Sequence, residues 1–338
     1  MTDKQKLMPC HLAKRKNYGR YRNIKEQYPK PYSIDSILQK LLPLHARTLI
    51  TKIIVPGYGE VKIYSGNFRG NMLFKDYLVL IRGGGDLATG IVYRLHKSGF
   101  PVVVLELERP FVVRRQVAVA TAVLQEELRI EDMIARQAAT PEQAMLMANA
   151  GIIPVLVSPQ LPEWDTKPAI LVDARMAKRN IDTSKTQAPF VVALGPGFTA
   201  GEDCHAVIET MRGHTLGRVI WQGQAIPNTG TPGIVAGKGA ERVLRAPGEG
   251  IVHWQFDIGD KVKEGDVLGN VNGAVVTAPF DGVLRGLIAP DTAVTQGMKI
   301  GDLDARADPA ACFTISDKAL AIGGGVLEAI LTHIANNK

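Results

Sequence analysis

The sequence predicts an α/β protein: a Rossmann-like parallel-sheet domain with an inserted all-β module of the barrel-sandwich type. Three observations predict it. A short apolar run, Tyr77 to Ile81, stops at Arg82-Gly83-Gly84-Gly85-Asp86, and Leu87, Ile91, Val92 and Leu95 then recur at helical spacing. Apolar runs of strand length alternate with helical or glycine-rich segments from about residue 76 to about residue 225. After residue 240 helical periodicity vanishes, and residues 245–271 align without a gap to residues 277–303 at an offset of 32.

Taken in order, the first helix ends at Gly99 and PVVVLELE follows as a second buried strand, completing a βαβ unit. VRRQVAVATAVLQ has helical character, and ELRIEDMIARQ mixes turn and strand signals. PEQAMLMANAG reads as a helix with Pro141 in its first turn and Gly151 past its end. IIPVLVS, AILVDA and FVVALGP are three more buried strands, and whether HAVIETMR is helical is left open. Near the end, ISDKALAIGGGVLEAILTHI echoes the strand, glycine run and helix of LVLIRGGGDLATGIVYRL. The expected division is a basic, poorly ordered extension over 1–71, the Rossmann-like domain over 72–240, the β module over 241–306, and a strand and helix over 307–338 that return to the α/β domain.

Within the repeat, Ala246/Ala278, Pro247/Pro279, Gly250/Gly282, Val262/Val294, Gly265/Gly297 and Gly269/Gly301 are identical. One supersecondary unit is used twice, so the two copies are expected to pack about a pseudo-twofold. Asn272-Gly273 between them is a strong two-residue hairpin signal. The pattern resembles lipoyl and biotinyl carrier domains, which carry their prosthetic group on a lysine at this hairpin. Here the hairpin is Val271-Asn272-Gly273-Ala274-Val275, without a lysine, so a structural or docking role is expected.

Charge is unevenly placed. The chain has 40 Lys/Arg and 33 Asp/Glu, a net of +7, but residues 1–71 hold 14 of the basic and only 4 of the acidic residues. The rest is mildly acidic, which argues against nucleic-acid binding by the main body. The basic head KRKNYGRYRNIKEQYPKPY interleaves tyrosines with its charge and is read as a solvated extension. Hydrophobic residues at 46% and charged residues at 22% exclude a mainly disordered chain. No run approaches the length of a membrane span and no apolar leader is visible, so a cytoplasmic protein with no membrane partner is expected. Three scattered cysteines, Cys10, Cys204 and Cys312, argue against a disulfide scaffold or a cysteine-rich zinc site.

Four places could carry chemistry. Gly83-x-Gly85-x-x-Ala88, between a strand and a helix, has the context of a dinucleotide fingerprint. Glycines there let backbone N–H groups approach a phosphate at a helix N-terminus. Glu106, at the end of the next strand, is placed to meet a ribose, with Glu108 as alternate. Gly84 belongs to the same loop, and Asp86 at its mouth either repels a phosphate or caps the helix. A second glycine loop, with Gly195 and Gly197, precedes Cys204, His205, Glu209, Arg212 and His214. On a helix His205 and Glu209 would be i,i+4 neighbours, and a thiolate beside the imidazole could act as a nucleophile or sulfur ligand. Third, Asp173 ends a strand and leads into Arg175, Lys178 and Arg179, and Arg114-Arg115 forms a further basic pair. Fourth, Ser316-Asp317-Lys318 before Gly323, Gly324 and Gly325 reads as a helix-terminus phosphate site. The polyglycine bends at 83–85 and 323–325, from opposite ends of the chain, are expected to line one anion-receptive crevice beside the Cys204–His205 pair.

As a set, LVLIRGGGDLATG, ELERPFVVRR, LVDARMAKRN, LGPGFTAGEDCHAVIETMRGHTLGRVIW, NTGTPG and ISDKALAIGGGVLEAIL resemble a family of accessory proteins of bacterial selenium-dependent molybdenum hydroxylase systems. That family is distantly similar to maturation factors of xanthine dehydrogenase. The resemblance covers about 72–335 and leaves out the basic head. It implies preparation or insertion of a molybdenum- or selenium-containing cofactor and names no reaction. The ligand it implies is molybdenum cofactor or another phosphate-bearing molecule, and the glycine fingerprint adds NAD(P) as an alternative. The expected partners are a molybdenum hydroxylase client, a small phosphate-bearing ligand and a second copy of the chain. An NAD(P)-dependent oxidoreductase and a non-catalytic scaffold for the hydroxylase are the other readings.

Overall fold

A computed structural model describes residues 51–55, 59–63, 72–164, 167–230, 233 and 236–337. Two compact units divide the chain, Met1–Tyr64 and Ser65–Lys338. In the first, β1 (Thr51–Val55) and β2 (Gly59–Ile63) pair antiparallel, with Thr51 opposite Ile63. The remainder of the expected basic extension, with Cys10 and the tyrosine-rich stretch, lies outside the described residues.

The second unit opens with β3 (Val79–Arg82), α1 (Asp86–Lys97) and β4 (Val102–Glu106). A short helix α2 (Ala122–Gln125) leads to a hairpin of β5 (Glu127–Ile130) and β6 (Met133–Ala138). Then come α3 (Pro141–Asn149), β7 (Ile153–Val157), β8 (Ile170–Asp173) and β9 (Phe190–Leu194). Short strands β10 (Thr199–Ala200), β11 (Ala206–Ile208), β12 (Val219–Ile220) and β13 (Gly223–Gln224) follow. Thr140 caps α3 by accepting from the Gln143 amide, and Pro141 occupies its first turn, where no N–H is needed.

The main sheet runs β12-β11-β9-β8-β3-β4-β7-β6-β5. The inner pairs are parallel, while β12 and β5 close the two edges antiparallel. Strands buried on both faces read as unbroken apolar runs because alternate side chains enter two cores. Val79, Ile81, Val102, Val104 and Val192 meet α1 on one face, while Leu80, Val103, Leu105 and Val191 meet α3 and loop residues such as Phe198 on the other.

The expected Rossmann-like sheet is corrected here. The sheet is mixed, and helices are few: the crossings from β8 to β9 and from β9 to β11 contain none. The reason is local. Residues 174–189 carry charge without apolar periodicity, and Gly195, Gly197 and Gly201 all hold positive φ in the next crossing. HAVIETMR is accordingly strand β11 and not a helix. VRRQVAVATAVLQ forms two 3₁₀ turns before α2.

The repeat builds β14 (Val243–Arg245), β15 (Gly250–Trp254), β16 (Lys261–Val262) and β17 (Val267–Val271), then β18 (Ala274–Thr277), β19 (Gly282–Leu287), β20 (Ala293–Val294) and β21 (Lys299–Asp304). Its two antiparallel sheets are β14-β21-β19-β16 and β18-β17-β15-β20. Exchanging the two halves of the repeat turns one strand order into the other, and both sheets feed one apolar core that includes Val252, Leu268, Leu284 and Ile300. This pair of four-stranded sheets replaces the carrier-type barrel-sandwich inferred from the motif. Asn272 (φ 47°) and Gly273 (φ 86°) form the tight turn between β17 and β18.

The chain ends in α4 (Asp317–Asn336), capped by Ser316 through the Ala319 amide. Length and composition alone would allow α4 to cross a membrane. Its face of Ala319, Ile322, Val326, Ala329 and Ile330 is instead buried in the core beside α1.

Candidate functional site

In a parallel array every strand delivers its carboxyl end to the same edge, and ligands collect there. A cleft of about 1140 Å³ opens at that edge. Its sheet side includes Arg82 at the end of β3 and Gly83 after it, Glu106 at the end of β4, Arg175 after β8, Pro196 after β9 and Arg212 after β11. The first turn of α1, Asp86 to Ala88, faces it and brings the unpaired N–H groups and positive dipole end of a helix. The opposite wall belongs to the β module, with Val243, Arg245, Arg285, Lys299 and Asp302. Ten Lys/Arg and four Asp/Glu side chains line the cleft, so the site favours anions.

The cations are held in place by partners behind them. Arg82 is 2% exposed and forks onto Asp182 at 2.8 and 2.9 Å. Arg175 bridges Asp182 at 2.7 Å and Asp173 at 2.6 Å, and the buried Asp173 also accepts from Thr183 Oγ1 at 2.6 Å. The hydrogen bonds from Arg82 hold the Asp182 carboxyl down at about 2. Arg212 similarly holds Asp317 at about 2. Burial, and then Arg212 nearby, push the Lys318 ammonium below its ordinary value. Among the described residues neither Lys178 nor Lys299 has a side-chain hydrogen bond or ion pair, and both line the cleft.

The expected glycine loop is at the cleft, but its amides are partly used. Gly83 N donates to Leu105 O at 2.8 Å, and Gly84 N donates to Glu106 Oε2 at 2.7 Å. Leu107 N takes the other Glu106 oxygen at 2.7 Å, so Glu106 braces the loop, and burial raises its carboxyl above the usual range. A Cβ on Gly84 would lie 2.9 Å from the Ala120 amide nitrogen, so this position is closed to other residues by packing. Asp86 sits at the helix start, 3.4 Å from Arg114, and does not cap α1.

The second expected cluster is split by the fold. Gly195 and Gly197 form the turn after β9, where added Cβ atoms would meet Thr210 Oγ1 and the Arg179 amide, each at 2.5 Å. Cys204 and His205 lie at the other end of β9, because the chain runs back before starting β11 in parallel. Cys204 is fully buried in the apolar cluster on the α3 face, and desolvation pushes its thiol up to about 12. It is therefore no thiolate nucleophile. His205 Nδ1 accepts from Val191 N at 3.0 Å and its ring leans on Phe190, so the expected thiol–imidazole pair at the crevice is corrected. Glu209 reaches the cleft end but is 2% exposed, accepting from Thr210 N, Met211 N and Ile226 N at 2.7, 2.7 and 2.8 Å. His214 is exposed and away from the cleft lining, whereas Arg212 is in it.

Gly323 and Gly324 are not a phosphate loop. Both lie inside α4, and a Cβ on Gly323 would be 2.3 Å from Gly90 O of α1. Ser316 and Lys318 do line the cleft. Sequence reading missed Arg82, Arg242, Arg245, Arg285 and Lys299. Arg82 was visible as a charge ending an apolar run, and the last two as charges that break the repeat: at offset 32, Arg285 and Lys299 stand against His253 and Val267. Among the described residues no cluster of three or more His, Cys, Asp or Glu is arranged to hold a metal ion.

No family model matches the chain. It is 46% identical over 287 residues to the uncharacterized protein YqeB of Escherichia coli (strain K12), an alignment that spans 83% of this chain and 53% of that protein. The chain thus spans about half the length of the curated relative it matches. Among solved structures, it is similar to an aspartoacylase family protein from Mesorhizobium loti at a TM-score of 0.23 and 12% identity, covering 67% of this chain and 84% of that one. A succinylglutamate desuccinylase/aspartoacylase from Rhodobacter sphaeroides aligns at a TM-score of 0.21 and 13% identity, covering 68% and 85%. These neighbours are not of the class expected from the sequence.

Proposed function

We propose that this protein is an accessory factor that matures a selenium-dependent molybdenum hydroxylase in the cytoplasm. Its cleft holds a phosphate-bearing cofactor, nucleotide-like or of the molybdopterin type, while that cofactor is modified or handed to the client. The observation that carries the reading is the cationic cleft at the carboxyl edge of the sheet, ten basic against four acidic side chains beside the N-terminus of α1. Its volume of about 1140 Å³ is slightly above the usual range of small-molecule sites, enough for a cofactor of that size. The NAD(P) oxidoreductase alternative has less support, because both Glu106 oxygens are already engaged by the Gly84 and Leu107 amides. A scaffold alone gives no reason for so much convergent positive charge.

The test is Gly85→Asp. Gly85 is the N-cap of α1 in extended backbone, and an added Cβ meets only Val112 Cγ1 at 3.9 Å. Aspartate is a favoured N-cap, so the variant should fold while placing a negative charge at the cleft mouth. Native mass spectrometry should find a phosphate-bearing ligand on the wild-type protein and none on the variant, which should also fail to activate the apo-hydroxylase. Full activation by Gly85→Asp would refute the reading.

A further inference from the structure

The β-module wall of the cleft carries positive charge that its own carboxylates do not match. Arg242 donates to Asp302 Oδ1 at 3.0 Å. Arg285 reaches the other Asp302 oxygen only at 3.6 Å and Asp304 at 3.8 Å, beyond hydrogen-bond length. Asp304 is meanwhile engaged by Arg306 at 2.5 Å. Arg114, which reaches this wall from the sheet domain, rests on the Ala311 and Thr314 carbonyls at 3.1 and 3.2 Å and meets the Asp86 carboxylate only at 3.4 Å. The Nε atoms of Arg114, Arg242 and Arg285 are all buried without a hydrogen-bond partner. The side chains of Arg114 and Arg242 are only 6% and 9% exposed, and all three arginines line the cleft. Buried donors are ordinarily satisfied, so three orphans where Arg114 of the sheet domain bridges to Leu287 of the β module point to an acceptor that belongs there. Burial, and then Arg114 nearby, lower the Arg285 pKa.

The internal repeat supplies an independent indication. Aligned at offset 32, Arg285, Lys299 and Asp302 correspond to His253, Val267 and Asn270. The two sheets have equivalent strand orders, so the fold closes with or without these charges. His253 and Val267 are exposed and outside the cleft lining. The charges at 285 and 299 are therefore not demanded by the repeat, and the cleft-lining Arg245 of the first copy likewise stands against an uncharged residue, Thr277.

We propose that Arg242, Arg285 and Arg114, with Lys299 at the rim, form a second phosphate subsite. It is separate from the one at the N-terminus of α1 with Arg82 and Arg175. The ligand is then a compound with two phosphate groups set apart, one on each wall, and the β module is part of the binding site. This rests on the cleft being the ligand site, as proposed above.

Calorimetric titration of the full chain with inorganic phosphate tests it. Wild type should bind two equivalents. Arg285→Met should bind one, with affinity at the lost subsite down about tenfold or more, since guanidinium–phosphate pairs are among the stronger hydrogen-bonded contacts. Lys299→Met, at an exposed position, should weaken the same equivalent without threatening the fold. Gly85→Asp should retain the Arg285-dependent equivalent and lose the other. A single equivalent that both Arg285→Met and Lys299→Met leave unchanged overturns the second subsite and leaves the proposed function standing. No phosphate bound by wild type overturns both.

Discussion

At the scale of single residues, charge that could be legible in a sequence is separated from charge that acts by what stands behind it. Asp173 was visible as a carboxylate at a strand end, yet it is 1% exposed and its work is to aim Arg175. Cys204 and His205 looked reactive because they are adjacent in sequence and follow a glycine loop. Only the direction of the return from β9 to β11 shows that they are at the far edge. Asp182, unremarked in sequence, joins Arg82 to Arg175. Its folded pKa is about 2 against the usual 3.8, so the carboxylate contributes stability fully above about pH 4, which disappears as the pH falls through 2. The side chain is 46% exposed, and solvent screening limits the contribution to about 1 kcal/mol. Urea unfolding should therefore find Asp182→Asn less stable than wild type near neutral pH, with the gap closing toward pH 2. A gap independent of pH would mean that the ion pair is not its source.

At the scale of elements, glycines inside a helix are informative because they weaken it unless a neighbour needs the space. In sequence the run at 323–325 reads as a glycine run between a strand and a helix, since three glycines ordinarily break a helix. Tertiary packing overrides that propensity: Gly323 and Gly90 let the backbones of α4 and α1 approach, and a Cβ on Gly325 would lie 2.0 Å from Gly217 O. Gly324 faces open space. The three should thus respond oppositely to alanine. Gly324→Ala should raise the melting temperature through a gain of roughly 0.5–1 kcal/mol in helix propensity. Gly323→Ala and Gly325→Ala should lower it through a loss of about 1–3 kcal/mol from overpacking. Equal effects at 323 and 324 would show that the α1–α4 seam is looser than described. Strands β3, β4, β7, β8 and β9, α1, α3 and the hairpin at Asn272-Gly273 were legible because local pattern and tertiary burial agree in them. The helix-free crossings and the mixed edges were not, because no periodicity marks where a charged loop returns to a sheet.

At the scale of the whole molecule, the cleft exists only while the β module stays docked on the sheet domain. The module has its own apolar core, distinct from the two cores flanking the main sheet. Regions joined by few buried contacts open sub-globally at a lower free energy than global unfolding. Docking runs through residues 113–115: Val113 packs against Gly286, and the buried Arg115 Nε donates to Leu287 O at 2.7 Å while its terminal nitrogen reaches Asp257 at 3.3 Å. Removing that guanidinium strands a buried carbonyl, a loss of about 1–3 kcal/mol concentrated at the junction. Arg115→Met should then raise hydrogen exchange across β15, β17 and β19 while leaving β3, β4 and β8 protected as in wild type. Phosphate affinity should fall in parallel, although Arg115 itself does not line the cleft. Uniform loss of protection throughout would mean that module and sheet unfold as one unit. The site would then be a property of a single rigid body and not of a junction that ligand binding helps to hold closed.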